Sequence, residues 1–332
     1  MEFRSKNLLI TGGMGFIGSN FIIHILENHK DINIINLDLL TYASDTNNLL
    51  GINKNDRYNF IHGDICDEGL VFDVFKNYKI DGVINFAAES HVDNSILSPE
   101  IFVKTNINGV FTLLKTAYHF WMNEPFKFKI NHKLSRFHQV STDEVYGSKI
   151  SGEFQENSSY SPSSPYSASK AAADMLVKSF SKTYGLNTTI SLSSNNFGLN
   201  QHNEKLIPKT INKIINNEAI EIYGDGNNIR DWIFVDDNCR AIELIFNKGK
   251  SGESYNIASK NEFSNIQIVN MISDILSKKL KIKFVNDRAG HDYRYAVSCQ
   301  KIVNDLGWKI PDNFDSKFSN YVRTNYDRYF LK

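Results

Sequence analysis

The sequence predicts an α/β protein: a doubly wound parallel sheet in its first half, with a smaller C-terminal region built from later segments. Three observations carry this expectation. Short apolar runs alternate with longer helical patterns through the first 190 residues. A glycine turn, Gly12-Gly13-Met14-Gly15-Phe16-Ile17-Gly18, follows the first apolar run directly. An acidic residue, Asp38, closes the second run.

Composition narrows the field before any element is placed. Of 332 residues, 41% are apolar and 22% charged, ordinary values for a folded globular chain. Lys plus Arg and Asp plus Glu number 37 each, so the net charge is zero. That balance argues against a dedicated nucleic-acid or anionic-membrane binder. No stretch approaches the roughly 18 consecutive apolar residues of a membrane span. The three cysteines, Cys66, Cys239 and Cys299, are scattered and show no CxxC spacing, so neither a disulfide framework nor a metal site is expected. The apolar run before the first glycines is too short for a secretory signal, which makes the cytoplasm the expected location.

Element by element, residues 7–10 form the first strand candidate and residues 16–26 the helix after the turn. In the spacing Gly12, Gly15, Gly18, glycine permits a tight turn and lets backbone amides approach a pyrophosphate, while the helix start adds partial positive charge. Phe16 and Ile17 lie inside that turn. Residues 32–37 form the second strand. Asp38 stands 20 residues after Gly18, where a carboxylate binds ribose hydroxyls and repels a 2′-phosphate. Leu39 and Leu40 follow in place of an arginine, so NAD is favoured over NADP; the alternative for Asp38 is a strand-end turn carboxylate. Together these features predict a Rossmann-type domain.

Residues 58–62 make a third strand, followed by Gly63-Asp64-Ile65, placed to hold an adenine edge. Residues 82–86 make a fourth, followed by Ala87, Ala88, Glu89 and Ser90, where small side chains allow close backbone approach to the cofactor. The pattern over 101–121 is helical and carries Asn106. Asparagine is a poor helix-interior residue, so a structural or cofactor-supporting role competes with simple exposure. Residues 137–141 form the fifth strand, 165–184 a helix and 188–192 a sixth strand; beyond that the pattern loosens. The expected division is a dinucleotide-binding domain over 1–190, joined by part of 234–256, and a substrate domain over mainly 191–332. The chain crosses back near 235–247.

Catalytic chemistry is expected in two places. Tyr166 and Lys170 share a face of the 165–184 helix by their i, i+4 spacing, with Ser164 and Pro165 suiting its N-cap and first position. A tyrosine titrates near 10, and lowering that to about 7 requires roughly 4 kcal/mol favouring the phenolate. A nearby ammonium and the helix N-terminus both act in that direction. Behind a dinucleotide site, such a tyrosine takes a hydroxyl proton while the carbon loses hydride. The fifth strand ends in Thr142-Asp143-Glu144. Ligand chemistry in doubly wound sheets sits beyond strand carboxyl ends, so two carboxylates there suggest acid–base work.

The segments TGGMGFIGSNF, GDICD, NFAAESHVDNSI, TNINGVFTLL, HQVSTDEVYG, SPSSPYSASKAAAD, SNNFG, EKLIP, IYGDGNNIRDWIFVDD and DRAGHDYRYA resemble the extended short-chain dehydrogenase/reductases over nearly the whole chain. Within them they are most similar to the dTDP-glucose 4,6-dehydratase family, with TDEVYG the most discriminating run. The resemblance implies an NAD-dependent lyase of deoxysugar biosynthesis (rhamnose among its settings), and a homodimer built on a four-helix bundle from 101–121 and 165–184. It implies that Tyr166, helped by Thr142, assists C4 oxidation. It implies that Glu144 takes the C5 proton, Asp143 protonates the departing C6 hydroxyl, and Lys170 holds the ribose and tunes Tyr166. For the nucleotide sugar it implies Ser90, Asn195, Glu204, Lys205, Leu206, Tyr223, Asn265 and Tyr295. Arg230 suits a phosphate by its fork geometry, and Arg288 and His291 add to it. Departures from the family pattern are Asn94 in place of Arg, Leu199 in place of Pro, Ser191-Leu192-Ser193, and Asn200-Gln201-His202-Asn203. All lie on the substrate side, and they leave open UDP-glucose or another sugar nucleotide. The competing readings are a nucleotide-sugar 4-epimerase or decarboxylase, for which Asp143 has no use, and a silent NAD-binding module.

Overall fold

The computed structural model describes residues 4–330. The chain opens with β1 (Asn7–Thr11), α1 (Phe16–Asn28), β2 (Asn33–Asp38), β3 (Tyr58–His62), α2 (Glu68–Tyr78) and β4 (Gly82–Asn85). Then come α3 (Val92–Leu97), α4 (Pro99–Phe102), α5 (Val110–Trp121), a hairpin of β5 (Met122–Glu124) and β6 (Lys127–Phe128), β7 (Arg136–Thr142), α6 (Pro165–Tyr184) and β8 (Thr188–Ser193). The remainder holds β9 (Asn195–Phe197), α7 (Leu206–Ile215), β10 (Ala219–Tyr223), β11 (Ile229–Phe234), α8 (Val235–Lys248), β12 (Ser254–Ile257), β13 (Glu262–Ser264), α9 (Asn265–Leu276), β14 (Lys281–Val285), α10 (Gln300–Leu306) and α11 (Phe314–Phe330).

The main sheet has seven strands in the order β12-β8-β7-β4-β1-β2-β3, and every neighbouring pair is parallel. Its central strands are buried on both faces, as helix-covered parallel sheets require. Helices α1 and α8 cover one face and α2, α5 and α6 the other. The strand order reverses between β1 and β4, which opens a crevice at their carboxyl ends. The seventh strand comes from after α8, so the chain does return to the first sheet. Its four residues, Ser-Tyr-Asn-Ile, carry too weak a pattern to announce it.

A second, smaller core gathers Phe197, Ile207, Ile211, Trp232, Ile268, Ile272 and the aromatic face of α11. It is bordered by the β13-β11-β9 sheet and the β10-β14 pair. No helix among the described residues is long and apolar enough to cross a membrane.

The helical pattern over 101–121 is interrupted. Residues Val103–Gly109 form a π-helix between α4 and α5. A π turn inserts a residue and re-aims its neighbours. Here it coincides with Asn106, which is buried and bonded inward rather than presented to solvent.

Candidate active site

The glycine turn meets the end of β4 at the crevice. Gly12 has φ +70°, and a Cβ there would lie 2.6 Å from the Ala87 backbone nitrogen. At Gly18 a Cβ would lie 2.4 Å from the Gly12 carbonyl oxygen. Both positions need glycine, one for conformation and contact and one for contact alone. Gly15 caps α1 without any side-chain bond, and the first turn of α1 has no acidic residue. The amides of that turn are therefore available to an anion. Asp38 is 5% exposed; its Oδ2 accepts the Met14 N–H at 2.8 Å, and its Oδ1 accepts the Leu40 N–H at 2.8 Å and the Ser44 hydroxyl at 2.9 Å. Three bonds leave one of a carboxylate's roughly four acceptor positions for a ribose hydroxyl.

Gly12, Gly15, Phe16, Ile17, Gly18, Asp38, Asp64, Ile65, Ala87, Ala88 and Ser90 all line one cleft of ≈ 490 Å³. Asn106 does not line it; of the roles weighed for it, a structural one, a cofactor-supporting one and simple exposure, its hydrogen bonds fit the structural one. Its amide donates to the Glu89 carbonyl at 3.0 Å and to Ser169 Oγ at 2.8 Å, and its oxygen accepts the Glu89 N–H at 2.9 Å. It ties the loop after β4 to α6.

The same cleft reaches the end of β7. A capping box between Ser164 and Ser167 starts α6, with Pro165 at its first position, and directs Tyr166 and Lys170 toward Thr142-Asp143-Glu144. Residues Asp143–Tyr146 turn in a 3-10 helix, so the three side chains diverge instead of alternating across a strand. Thr142 hydrogen-bonds the Tyr166 phenol. It also donates to Asp143 Oδ1 at 3.4 Å and accepts the Glu144 N–H at 3.3 Å. Asp143 Oδ2 is buried with no partner in the protein. Burial, and then the charge of Glu144, hold the Asp143 carboxyl well above the usual carboxylate range. Burial raises Glu144 as well, against the opposing charges of Arg230, Arg288 and Lys205.

The expected lowering of Tyr166 is overturned in this structure. Burial pushes the phenol up, and the carboxylates of Glu144 and Asp143 push it further. Lys170, brought down to about 8 by burial, donates from Nζ to the Val140 carbonyl at 2.7 Å. Spacing brought the ammonium within a turn of the phenol, but burial, and then the carboxylates that packing adds, push the phenol up.

Asn195, Glu204, Lys205, Leu206, Tyr223, Arg230, Asn265, Arg288, His291 and Tyr295 line the other arm of the cleft. Arg230 is 5% exposed and stacks on Tyr295 with its guanidinium 4.1 Å from the ring centroid. It donates to the carbonyls of Ile229 at 2.7 Å, Tyr293 at 3.3 Å and Asp292 at 3.0 Å, which leaves two of five N–H groups for a ligand. Arg288 has a buried, unpartnered Nε, and Asn195 a buried, unpartnered Oδ1. These two stand ready for a polar ligand. His291, pushed down by burial and by Arg288, bonds through Nδ1 to Asp287 at 2.6 Å. Tyr295 donates to Asp292 Oδ2 at 2.8 Å, and Tyr223 to Asp93 Oδ2 at 3.2 Å.

Glu89, His91 and Asp93 line the cleft too and were not singled out as site residues, although the AAESHVDNS run carried all three. The departures Asn94 and His202 meet at the rim. Asn94 bonds Tyr42, Tyr42 stands edge-on to His202 at 6.2 Å, and His202 lies 3.6 Å from Glu204. Leu199 sits beside α1, where its carbonyl accepts from Asn20 at 2.8 Å.

Fold and cleft define the class: an extended short-chain dehydrogenase/reductase. The sequence matches the GDP-mannose 4,6 dehydratase family over residues 9–320. It is 45% identical over 333 residues to a dTDP-glucose 4,6-dehydratase of Haemophilus influenzae, covering 96% of this chain and 97% of that one. It is 43% identical over 327 residues to the Salmonella typhimurium enzyme of the same name, covering 93% and 90%. A crystal structure of the Streptomyces venezuelae dTDP-glucose 4,6-dehydratase with NAD bound superposes with a TM-score of 0.89 at 38% identity, covering 97% of each chain. The chain belongs to the dTDP-glucose 4,6-dehydratase family.

Proposed function

We propose that this protein is an NAD-dependent 4,6-dehydratase that converts dTDP-glucose to dTDP-4-keto-6-deoxyglucose. The observation that carries the reading is the convergence of Thr142, Asp143 and Glu144 on Tyr166 and Lys170, with Asp143 Oδ2 buried and unpartnered beside them. The turn of Gly12, Gly15, Phe16, Ile17 and Gly18 would hold the dinucleotide's pyrophosphate and Asp38 a ribose. Asp64 and Ile65 would serve its adenine end, and Ala87, Ala88, Ser90, Tyr166 and Lys170 its nicotinamide end. Asp38 and the absence of a following arginine favour NAD over NADP. When bound, the nicotinamide accepts hydride from C4 and returns it to C6.

The side chains divide the proton work. Tyr166, steadied by Thr142, takes the C4 hydroxyl proton. The C4 ketone then acidifies C5, whose proton Glu144 removes and later gives back. Asp143 protonates the C6 hydroxyl, which leaves as water. A carboxylic acid can donate at neutral pH only if its pKa is raised, and burial plus the neighbouring Glu144 supply that condition. Protonating Asp143 also removes one of the three carboxylate charges that, after burial, hold Tyr166 protonated. Arg230, Arg288 and His291 suit the diphosphate, Tyr223 the base, and Asn195, Glu204, Lys205, Leu206, Asn265 and Tyr295 the rest of the nucleotide sugar. A 4-epimerase or decarboxylase needs no acid at C6, so Asp143 separates this reading from those.

In this reading the dinucleotide domain spans 1–190 with part of 234–256, and the substrate domain mainly the rest. The enzyme works in the cytoplasm, in deoxysugar biosynthesis such as that of rhamnose. It pairs with a second copy through Ile101, Val103, Phe111 and Met175, large apolar side chains exposed on the helices proposed for a four-helix bundle. The test is to mix purified protein with dTDP-glucose and, separately, UDP-glucose, and follow loss of water by mass spectrometry. Loss from dTDP-glucose without net reduced nicotinamide is expected. Loss from UDP-glucose alone moves the base assignment to the rim around Asn94 and His202, and loss from neither overturns the reading.

A further inference from the structure

Strand β7 outruns one of its neighbours just before the reacting groups. β4 pairs with it only as far as Gln139, while β8 pairs with it through Thr142. Val140, Ser141 and Thr142 therefore lead into Asp143 and Glu144 with a strand on one side alone. Helix α6 supplies two fastenings there. Lys170 Nζ donates to the Val140 carbonyl at 2.7 Å, and Ser141 Oγ donates to Asp174 Oδ2 at 2.7 Å. Tyr166, Lys170 and Asp174 stand at successive turns along one face of α6. Two consecutive residues of the strand end are thus held by two consecutive turns of the helix that carries Tyr166.

Asp174 is fully buried and does not line the cleft. Its Oδ2 also accepts the Tyr160 hydroxyl at 3.2 Å, and Lys178 donates to that hydroxyl at 3.3 Å. Its Oδ1 has no partner among the described residues. Both bonds to the carboxylate come from neutral hydroxyls, a costly arrangement for a group this dry. Burial pushes it up to about 6. The proton steps of the reaction make no use of it, yet it grips the residue directly before Thr142.

We propose that Asp174 is a positioning residue for the reaction: through Ser141 it fixes the overhanging end of β7, and with it Thr142, Asp143 and Glu144, against the helix face that carries Tyr166 and Lys170. The proposal rests on the 4,6-dehydratase reading. Asp174 lies outside the cleft, so it acts through Ser141 and not on the substrate. Its charge adds a second effect. Burial brings Lys170 down to about 8, and Asp174 is the charge that opposes this fall; the same charge helps to raise Tyr166. The other titratable groups that feel Asp174 are Lys178 on α6 and Tyr146 and Tyr160 on the segment after β7.

The experiment compares wild type, Ser141→Ala, Asp174→Ala, Asp174→Asn and Tyr160→Phe as purified holoenzymes with dTDP-glucose. Water loss gives kcat and KM across pH, and thermal melting shows that each variant is folded at the assay temperature. Ser141→Ala cuts the link from the strand and Asp174→Ala from the helix. Each should lower kcat about ten- to a hundredfold, the upper figure being the cost of misplacing reacting groups by ~1 Å, with KM and bound NAD unchanged. The double variant should lose no more than the slower single one, because the two side chains form one link. Tyr160→Phe removes the other bond to the same oxygen and should keep the kcat of wild type. Asp174→Asn keeps an acceptor for Ser141 and should recover most of kcat at its own pH optimum. That optimum should lie at lower pH, since without the charge both Lys170 and Tyr166 give up their protons at lower pH. A merely structural Asp174 predicts lower melting temperatures with kcat of the folded variants unchanged, and that result overturns the proposal. Asp174→Asn as slow as Asp174→Ala overturns it as well. If Asp174→Ala does not fold, Ser141→Ala decides: full kcat there overturns the proposal and leaves the functional reading standing. Wild type that releases no water from dTDP-glucose overturns the functional reading itself.

Discussion

Replacing Glu144 by Gln separates oxidation from elimination. The substitution keeps the side chain's volume and removes both a base and a charge. Loss of a positioned general base costs a factor of about 10² to 10⁴, or about 3 to 5 kcal/mol in the barrier to C5 deprotonation. The charge acts in the opposite sense on the first step. After burial, Glu144 is the largest influence raising both Tyr166 and Asp143. Without it both groups titrate lower. A larger fraction of Tyr166 is then phenolate at a given pH, so the rising alkaline limb of C4 oxidation moves to lower pH. A smaller fraction of Asp143 is protonated, so elimination loses its acid as well as its base. Stopped-flow absorbance of reduced nicotinamide, with mass spectrometry of the sugar, reads both steps. The expected outcome is a long-lived reduced signal with water loss down by the factor above. Full retention of dehydration would refute the assignment of the base. Loss of the reduced signal together with dehydration would place Glu144 in the first step instead.

Further tests reach other parts of the molecule. Gly12→Ala forces a Cβ to 2.6 Å from the Ala87 nitrogen at φ +70°; it should cost about 1–3 kcal/mol in stability and empty the protein of NAD, checked by thermal melting and by the cofactor content of the purified variant. Arg288→Met removes a buried, unpartnered donor, so KM for the nucleotide sugar should rise about tenfold or more while bound NAD is unchanged. Glu243 accepts from His24 at 2.7 Å and His29 at 2.8 Å; burial alone would raise it, but these bonds bring it below its ordinary 4.5. Its contribution is therefore full above pH 4.5 and lost as pH falls through the lower folded value. Glu243→Gln should then destabilise at pH 7, and the gap from wild type in urea unfolding should shrink as pH drops below 4.5. Phe111→Glu or Met175→Glu, placed on exposed apolar positions, should shift a dimer toward monomer by analytical ultracentrifugation.

Much of the cleft was legible because its chemistry is local. A glycine spacing, a carboxylate at a strand end and an i, i+4 Tyr–Lys pair each depend on residues within a turn or two, and the backbone geometry that joins them is fixed by the element type. The parallel strands β1, β2, β3, β4, β7 and β8 were legible because each is a short run set between helical patterns, even where, as in β7 and β8, its residues are of mixed polarity. Strand β12 was not, because four residues of mixed polarity become a strand only when β8 offers them an edge. Asn106 left a structural or cofactor-supporting role competing with simple exposure, and only the π turn, which bonds it to the Glu89 backbone, decided between them.

Electrostatics diverged most. From sequence, Lys170 and the helix N-terminus were the influences on Tyr166, and a lowered pKa followed. Packing placed Glu144 and Asp143 against the same phenol and turned Lys170 to a carbonyl. Asp174, one turn beyond Lys170 in SKAAAD, became a buried acceptor for Ser141 and Tyr160 at 2.7 and 3.2 Å that no spacing rule announced. The sequence by itself determined which groups are present and which of them share a turn of helix. The tertiary structure alone decided which are dry, which face one another across elements, and so which carry a proton. A pKa depends on burial and on every charge within a few ångströms, and those neighbours come from segments far apart in the chain.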